Sequence, residues 1–111
     1  METLIAAVQS EPQPQKGQKH RSSGDFSTDN ADSSATGLLF KINKSNPKWN
    51  SIHFDVKEDK SGGKDPVIYT DVYSGNREPV VRERTLYIAD PEGADTDFTV
   101  EVYQVRWKKL Y

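Results

Sequence analysis

The sequence predicts a small all-β domain: five antiparallel strands in a barrel or a sandwich of OB or SH3 size, preceded by a disordered N-terminal arm. Three observations lead to this fold class. Apolar residues after residue 37 recur with the two-residue period of strands, or in short β-branched and aromatic runs. Turns containing glycine separate these runs, and no segment has the apolar spacing of a three-turn amphipathic helix. The 28 residues from Gln9 to Thr36 contain one large apolar side chain, Phe26.

The chain divides into an arm, residues 1–36, and a β domain, residues 37–111. The arm offers too little apolar surface to offset its own ordering entropy, so we expect it to be disordered. Its apolar run from Leu4 to Val8 either frays at the terminus or docks on a partner or on the chain's own domain. This run is too short for a secretory signal and no stretch is long enough to span a membrane, so we expect a cytoplasmic protein that does not enter a membrane.

The predicted strands follow one another through short turns. They are residues 38–42, 52–57, 67–73, 80–89 and 98–108. Ser61-Gly62-Gly63 and Ser74-Gly75-Asn76 predict hairpin turns, because glycine adopts the positive φ that tight turns require. The last strand has apolar residues at even positions up to Val102 and at odd positions from Val105, which predicts a β-bulge or a bend. The predicted core consists of Ile52, Phe54, Val56, Leu86, Ile88, Phe98, Val100 and Val102.

Size and composition limit the classes of function. A domain of about 75 residues has a small core, and the absence of cysteine excludes disulfides and thiolate metal sites. A protein partner or self-association is the remaining source of extra stability. The arm has three basic and five acidic residues, and the domain has twelve of each, so only local patches of charge are available for binding.

Catalysis and metal binding are not predicted. His20 and His53 are the only imidazoles, and no nucleophile motif accompanies them, so we expect neither an enzyme nor a cofactor. Two histidines without cysteine do not make a zinc site. The acidic residues of the segment 90–97 either form an ordinary turn or supply part of a calcium site; Pro91 and Gly93 favour the turn, and we expect no metal.

Cationic and aromatic residues favour a non-enzymatic module that binds single-stranded DNA or RNA. Such sites combine cations that follow the phosphates with aromatic rings that stack on the bases. Lys41, Lys44, Lys48 and Trp49 cluster near the start of the domain. The predicted binding residues are Lys48, Trp49, Arg82, Arg84, Arg106, Trp107, Lys108, Lys109 and Tyr111. In the alternative interpretation Trp107 belongs to the core and the lysines keep an edge strand from aggregating.

The competing hypothesis is a protein-interaction or assembly module, of the kind found among viral and phage accessory proteins and inhibitors. A partner strand would add to an exposed sheet edge, and the arm would dock elsewhere. The segment from Glu78 to Glu83 is the candidate edge, because Pro79 is tolerated only where no ladder hydrogen bond is required of it.

Overall fold

The computed structural model of the chain describes residues 2–9, 25–31, 37–93 and 98–105. These residues form strands and loops with one short 3-10 turn, Thr28–Asn30, which confirms the all-β class. The strands are β1 (Glu2–Gln9), β2 (Asp25–Ser27), β3 (Gly37–Ile42), β4 (His53–Glu58), β5 (Val67–Tyr73), β6 (Arg77–Pro79), β7 (Thr85–Glu92) and β8 (Thr99–Val105). Within the described residues no helix is long and apolar enough to cross a membrane.

The strands form two antiparallel four-stranded sheets. The first has the order β1-β8-β3-β6 and the second the order β2-β7-β4-β5. One hydrophobic core draws on both sheets. Phe40 of the first sheet meets Phe54 and Tyr69 of the second edge to face, with ring centroids 6.1 and 5.8 Å apart. Of the two predicted architectures, the described residues therefore form the sandwich, with eight strands where five were predicted.

The predicted core is confirmed. All eight side chains have at most 3% of their surface exposed. The period-2 pattern identified them because alternate residues of a strand point to the same face, and here that face meets the opposing sheet.

The structure differs from the predicted disordered arm at two stretches. β1 pairs with β8, which places Ala6 opposite Val102 and Val8 opposite Val100. β2 pairs with β7, and its Phe26 is buried. For the run Leu4 to Val8, docking on the chain's own domain is thus the alternative that holds. Composition missed both strands because their partners lie far away in sequence. The rest of the predicted arm, residues 1, 10–24 and 32–36, lies outside the described residues.

One of the two predicted hairpins is confirmed, and the other is wrong. Gly62 and Gly63 have φ of +81° and +74° in the connection between the paired strands β4 and β5. By contrast, the turn at Gly75 leads from β5 in the second sheet to β6 in the first. The N–H of Gly75 donates to the carbonyl of Phe40 (2.7 Å), so backbone pairing with β3 determines this turn. The predicted strand 80–89 begins only at Thr85.

The bulge predicted for the last strand lies in its neighbour instead. β8 pairs regularly with β3, from Gly37 opposite Val105 to Ile42 opposite Val100. The irregularity is in β1, between Leu4 and Ala6. Val105 is buried on the face opposite to Val102, so apolar residues occur on both faces of β8 without a change of phase in its backbone.

Candidate functional site

A groove of about 400 Å³ opens where β3 ends, and we call it the Trp49 groove. Three parts of the fold line it: Lys41 of β3 with Lys44 and Trp49 of the following loop, Ser74 and Gly75 of the turn between the sheets, and Glu101 of β8. Lys41 and Glu101 are register partners on adjacent strands, and they lie on the outer face of the first sheet. The turn at Ser74 and Gly75 forms another wall of the groove. The groove therefore depends on the chain passing from the second sheet to the first at this turn.

Asparagine side chains hold the loop that carries Trp49. The Asn43 side chain accepts from the N–H of Ser45 (2.8 Å), and the buried Asn46 accepts from the N–H of Lys48 (2.9 Å). These are Asx turns, in which the side chain replaces a backbone acceptor. The backbone N–H of Trp49 donates to the carbonyl of Asn46 (3.1 Å), so the backbone that carries the indole is held in place. Its ring is half-buried and packs against the core.

Two lysine side chains lie over aromatic rings at the groove. The Nζ atom of Lys44 is 4.8 Å from the centroid of the Trp49 ring, and the Nζ atom of Lys41 is 5.0 Å from that of Tyr103. The hydroxyl of Tyr103 donates to Oε2 of Glu101 (3.2 Å). The groove therefore presents aromatic surface, ammonium groups and one oriented carboxylate within a single concave surface.

The groove lies in a locally basic part of an acidic chain. Residues 33–54 contain Lys41, Lys44 and Lys48 and no aspartate or glutamate, although the net charge of the chain is −2. Among the described residues that line the groove, Glu101 is the acidic one. A concave surface with more cations than anions attracts negatively charged ligands even when the whole molecule does not.

The structure brings together only some of the predicted binding residues. Lys48 and Trp49 lie in the groove loop before β4, whereas Arg82 and Arg84 lie beyond its other end. Nε of Arg84 is 3.5 Å from Oε1 of Glu58, the last residue of β4. The five steps from the first to the last residue of β4, at about 3.3 Å each, separate the two groups by about 17 Å.

The arginines thus belong to a different surface, near Thr28. The remaining predicted binding residues, Arg106, Trp107, Lys108, Lys109 and Tyr111, lie outside the described residues.

Glu101 and Tyr103 are not among the residues predicted from the sequence. Both occupy odd positions of β8, and the pattern shows only that this face is not the core. Their proximity to Lys41 depends on the register between β3 and β8, which places Lys41 opposite Glu101, 60 positions further along the chain. No local sequence pattern reaches over that separation. The sequence does show that Glu101 and Tyr103 alternate with the apolar residues of β8 and so lie on its other face. It does not show which strand lies beside them.

His53 takes part in a small charged cluster on the second sheet. Its Nδ1 is 3.5 Å from Oδ1 of Asp71, its Nε2 is 3.7 Å from Oε2 of Glu92, and its ring stacks on Tyr73 with centroids 4.9 Å apart. Both ring nitrogens therefore face carboxylates, an arrangement that links β4 to its two neighbours. The expectation that the chain is not an enzyme stays a prediction.

The acidic segment 90–97 is only partly described. Glu92 faces His53, while Asp95 and Asp97 lie outside the described residues. Among the residues described, no three carboxylate or imidazole side chains are grouped closely enough to hold a metal ion.

Carboxylates at the far end of the second sheet have shifted pKa values. A hydrogen bond with Asp59, partial desolvation and the charges of Asp59 and Asp65 raise the pKa of Asp25. The pKa of Asp65 is lowered, because the hydroxyl of Tyr87 donates to it (2.7 Å) and so does the N–H of Lys60 (3.0 Å). This cluster lies beyond the end of β4 that is remote from the groove, so it does not contribute to the groove's charge.

Comparison with known proteins leaves the site to be interpreted from its own geometry. No family of known proteins, no curated protein and no solved structure matches the chain.

Proposed function

We propose that the chain is a non-enzymatic binding module that holds single-stranded nucleic acid in the Trp49 groove. The observation that carries this proposal is the indole of Trp49 in a concave surface with Lys41 and Lys44, in a stretch of chain that has no acidic residue. Single-stranded sites need aromatic faces for the bases and cations for the phosphates, and the groove offers both.

The energies of the two interactions favour a base over the Lys44 ammonium on the face of the Trp49 ring. A cation–π contact at an exposed site contributes about 0.5–1 kcal/mol, whereas stacking of a base contributes about 1–3 kcal/mol. A base that takes the ring face therefore displaces the ammonium of Lys44, which lies 4.8 Å from the ring centroid. The flexible lysine then remains near the phosphate of the same nucleotide, so its charge still supports binding.

The affinity should depend on salt in a way that follows from the three lysines. Each neutralised phosphate of a single strand releases about 0.7 counterion. If Lys41, Lys44 and Lys48 each meet one phosphate, log K falls against log salt with a slope of about −2.

The test is a fluorescence-anisotropy titration of a labelled short oligothymidylate at several salt concentrations. We expect the variant Lys44→Glu, Lys48→Glu to bind at least tenfold more weakly than the wild type and to have a flatter salt slope. The matched control is Lys60→Glu, Lys64→Glu, which makes the same charge change in the exposed β4–β5 connection. Equal losses in the two variants, or no binding at low salt, would contradict the proposal.

The second candidate is the protein-interaction module, and the edge strand β5 favours it. β5 is the last strand of the second sheet, and it exposes Val67 (49%) and Tyr73 (41%). Of the predicted edge from Glu78 to Glu83, only the first two residues lie in a strand, β6, which ends the first sheet and is three residues long. Strand addition to β5 would be insensitive to salt and nuclease, so capture of a partner from lysate at high salt after nuclease treatment would favour this candidate.

A further inference from the structure

Glu101 is a carboxylate in a groove that otherwise favours anions. It lies on the outer face of β8, opposite Lys41 of β3, and it lines the groove together with Trp49. A carboxylate here repels phosphate, so it weakens any binding that depends on charge alone. Its presence is consistent with a ligand that brings hydrogen-bond donors to this position.

The Glu101 carboxylate is oriented by its neighbour. The hydroxyl of Tyr103 donates to Oε2 of Glu101 (3.2 Å), and the Tyr103 ring is itself in contact with the ammonium of Lys41 (5.0 Å). Each carboxylate oxygen has two lone pairs. The hydrogen bond from Tyr103 therefore orients the carboxylate and leaves it able to accept further hydrogen bonds.

Base chemistry identifies the match for such a group. The pairing edge of guanine presents two adjacent donors, N1–H and the N2 amino group, at the spacing of two carboxylate oxygens. Thymine and uracil present one N–H between two carbonyl oxygens, and cytosine and adenine present one amino group beside a bare ring nitrogen. A carboxylate only accepts hydrogen bonds. Of these bases, guanine alone can therefore donate two hydrogen bonds to it without also placing an acceptor atom against it.

We propose that Glu101 makes the Trp49 groove selective for an unpaired guanine, an inference that rests on the proposed function. The guanine ring stacks on Trp49, and its N1–H and N2 amino group donate to Glu101. Thymine and uracil bind more weakly, because their carbonyl oxygens meet the carboxylate.

The test compares oligothymidylates that differ at one central position: thymine, guanine, or hypoxanthine, which lacks the N2 amino group. We expect the wild type to bind the guanine oligonucleotide about tenfold more tightly than the all-thymine one, with hypoxanthine between them. In Glu101→Gln, which keeps the size of the side chain, the preference should fall to within about twofold, and affinity for the all-thymine oligonucleotide should rise, because the repulsive charge is gone. A merely structural role of Glu101 would lower affinity for all three oligonucleotides together.

The outcomes separate this inference from the proposed function. If the wild type binds all three oligonucleotides equally, and Lys44→Glu, Lys48→Glu still weakens binding, selection by Glu101 is overturned and the proposed function stands. If the preference for guanine persists in Glu101→Gln, another group selects the base and the inference is again overturned. If no oligonucleotide binds at low salt, the proposed function fails and the inference fails with it.

Discussion

Gly93, after the end of β7, fixes the loop that carries Trp49. Its φ is +83°, and a Cβ atom there would lie 2.6 Å from the carbonyl oxygen of Ser51. Ser51 in turn donates its N–H to the carbonyl of Lys48 (2.9 Å), so the backbone of Gly93 packs directly against the loop of the groove. Only glycine tolerates both this conformation and this close approach.

We therefore expect Gly93→Ala to lower the free energy of unfolding by about 2–4 kcal/mol, because backbone strain and a clash with a carbonyl add together. The variant should also weaken oligonucleotide binding, since Ser51 must move. The control is Gly63→Ala, which has a φ of +74° but would meet nothing within 4 Å, so it should lose only about 1–2 kcal/mol. Urea unfolding measures both; equal losses would show that the contact with Ser51 is unimportant.

The carboxylates Asp25 and Asp65 predict opposite dependences of stability on pH. The folded-state pKa of Asp25 is raised above its usual 3.8, so its contribution to stability is full below that value and is lost as the pH rises through the folded-state pKa. The folded-state pKa of Asp65 is lowered, so its contribution is present above 3.8 and is lost as the pH falls through the folded-state pKa.

Asp25→Asn should consequently be more stable than the wild type at pH 7, and Asp65→Asn less stable, with both differences shrinking toward pH 3. Urea unfolding at pH 7 and pH 3 measures them. A loss of stability at pH 7 in Asp25→Asn would contradict the destabilising effect expected of an ionised Asp25 beside Asp59.

At the scale of the element, β1 decides whether the N-terminal residues belong to the domain. Val8 of β1 is buried opposite Val100, while Leu4 of the same strand is 49% exposed. The two positions therefore form a matched pair for mutation within one strand.

Val8→Ala should lower the free energy of unfolding by about 1–2 kcal/mol, since it removes two buried methyl groups, and Leu4→Ala should change it by less than about 0.5 kcal/mol. The comparison is made by urea denaturation of both variants and the wild type. A disordered N-terminus would give two values near zero, and that result would contradict the pairing of β1 with β8.

The elements also show where sequence patterns suffice. β3, β4 and β5 were predicted nearly to their ends, because alternation and β-branched runs are local properties. β1 and β2 were not predicted, because each pairs with the edge of a sheet formed by residues far along the chain. Tertiary contacts therefore stabilise them. The turn at Gly75 has the composition of a hairpin turn, and only the pairing of β3 with the following residues distinguishes it from one.

At the scale of the whole molecule, the sandwich determines which predicted site residues meet. The cationic and aromatic composition predicted a binding surface, and for the loop with Lys48 and Trp49 this stays a prediction. Arg82 and Arg84 lie away from the groove, because the length of β4 separates them from it. Glu101 lines the groove because the register of β8 with β3 places it opposite Lys41. Register and sheet order are global properties, so composition alone does not predict which of these side chains lie together.

The most direct measurement of the central claim is a map of amide chemical-shift changes when 15N-labelled protein is titrated with a short oligonucleotide at low salt. Among the described residues, we expect the largest changes in the Trp49 groove and its loop: 41–49, 74–75 and 101. At the same oligonucleotide concentration these changes should be much smaller in Lys44→Glu, Lys48→Glu and unchanged in Lys60→Glu, Lys64→Glu. Changes centred on the edge strand β5, or no changes at any oligonucleotide concentration, would contradict the central claim.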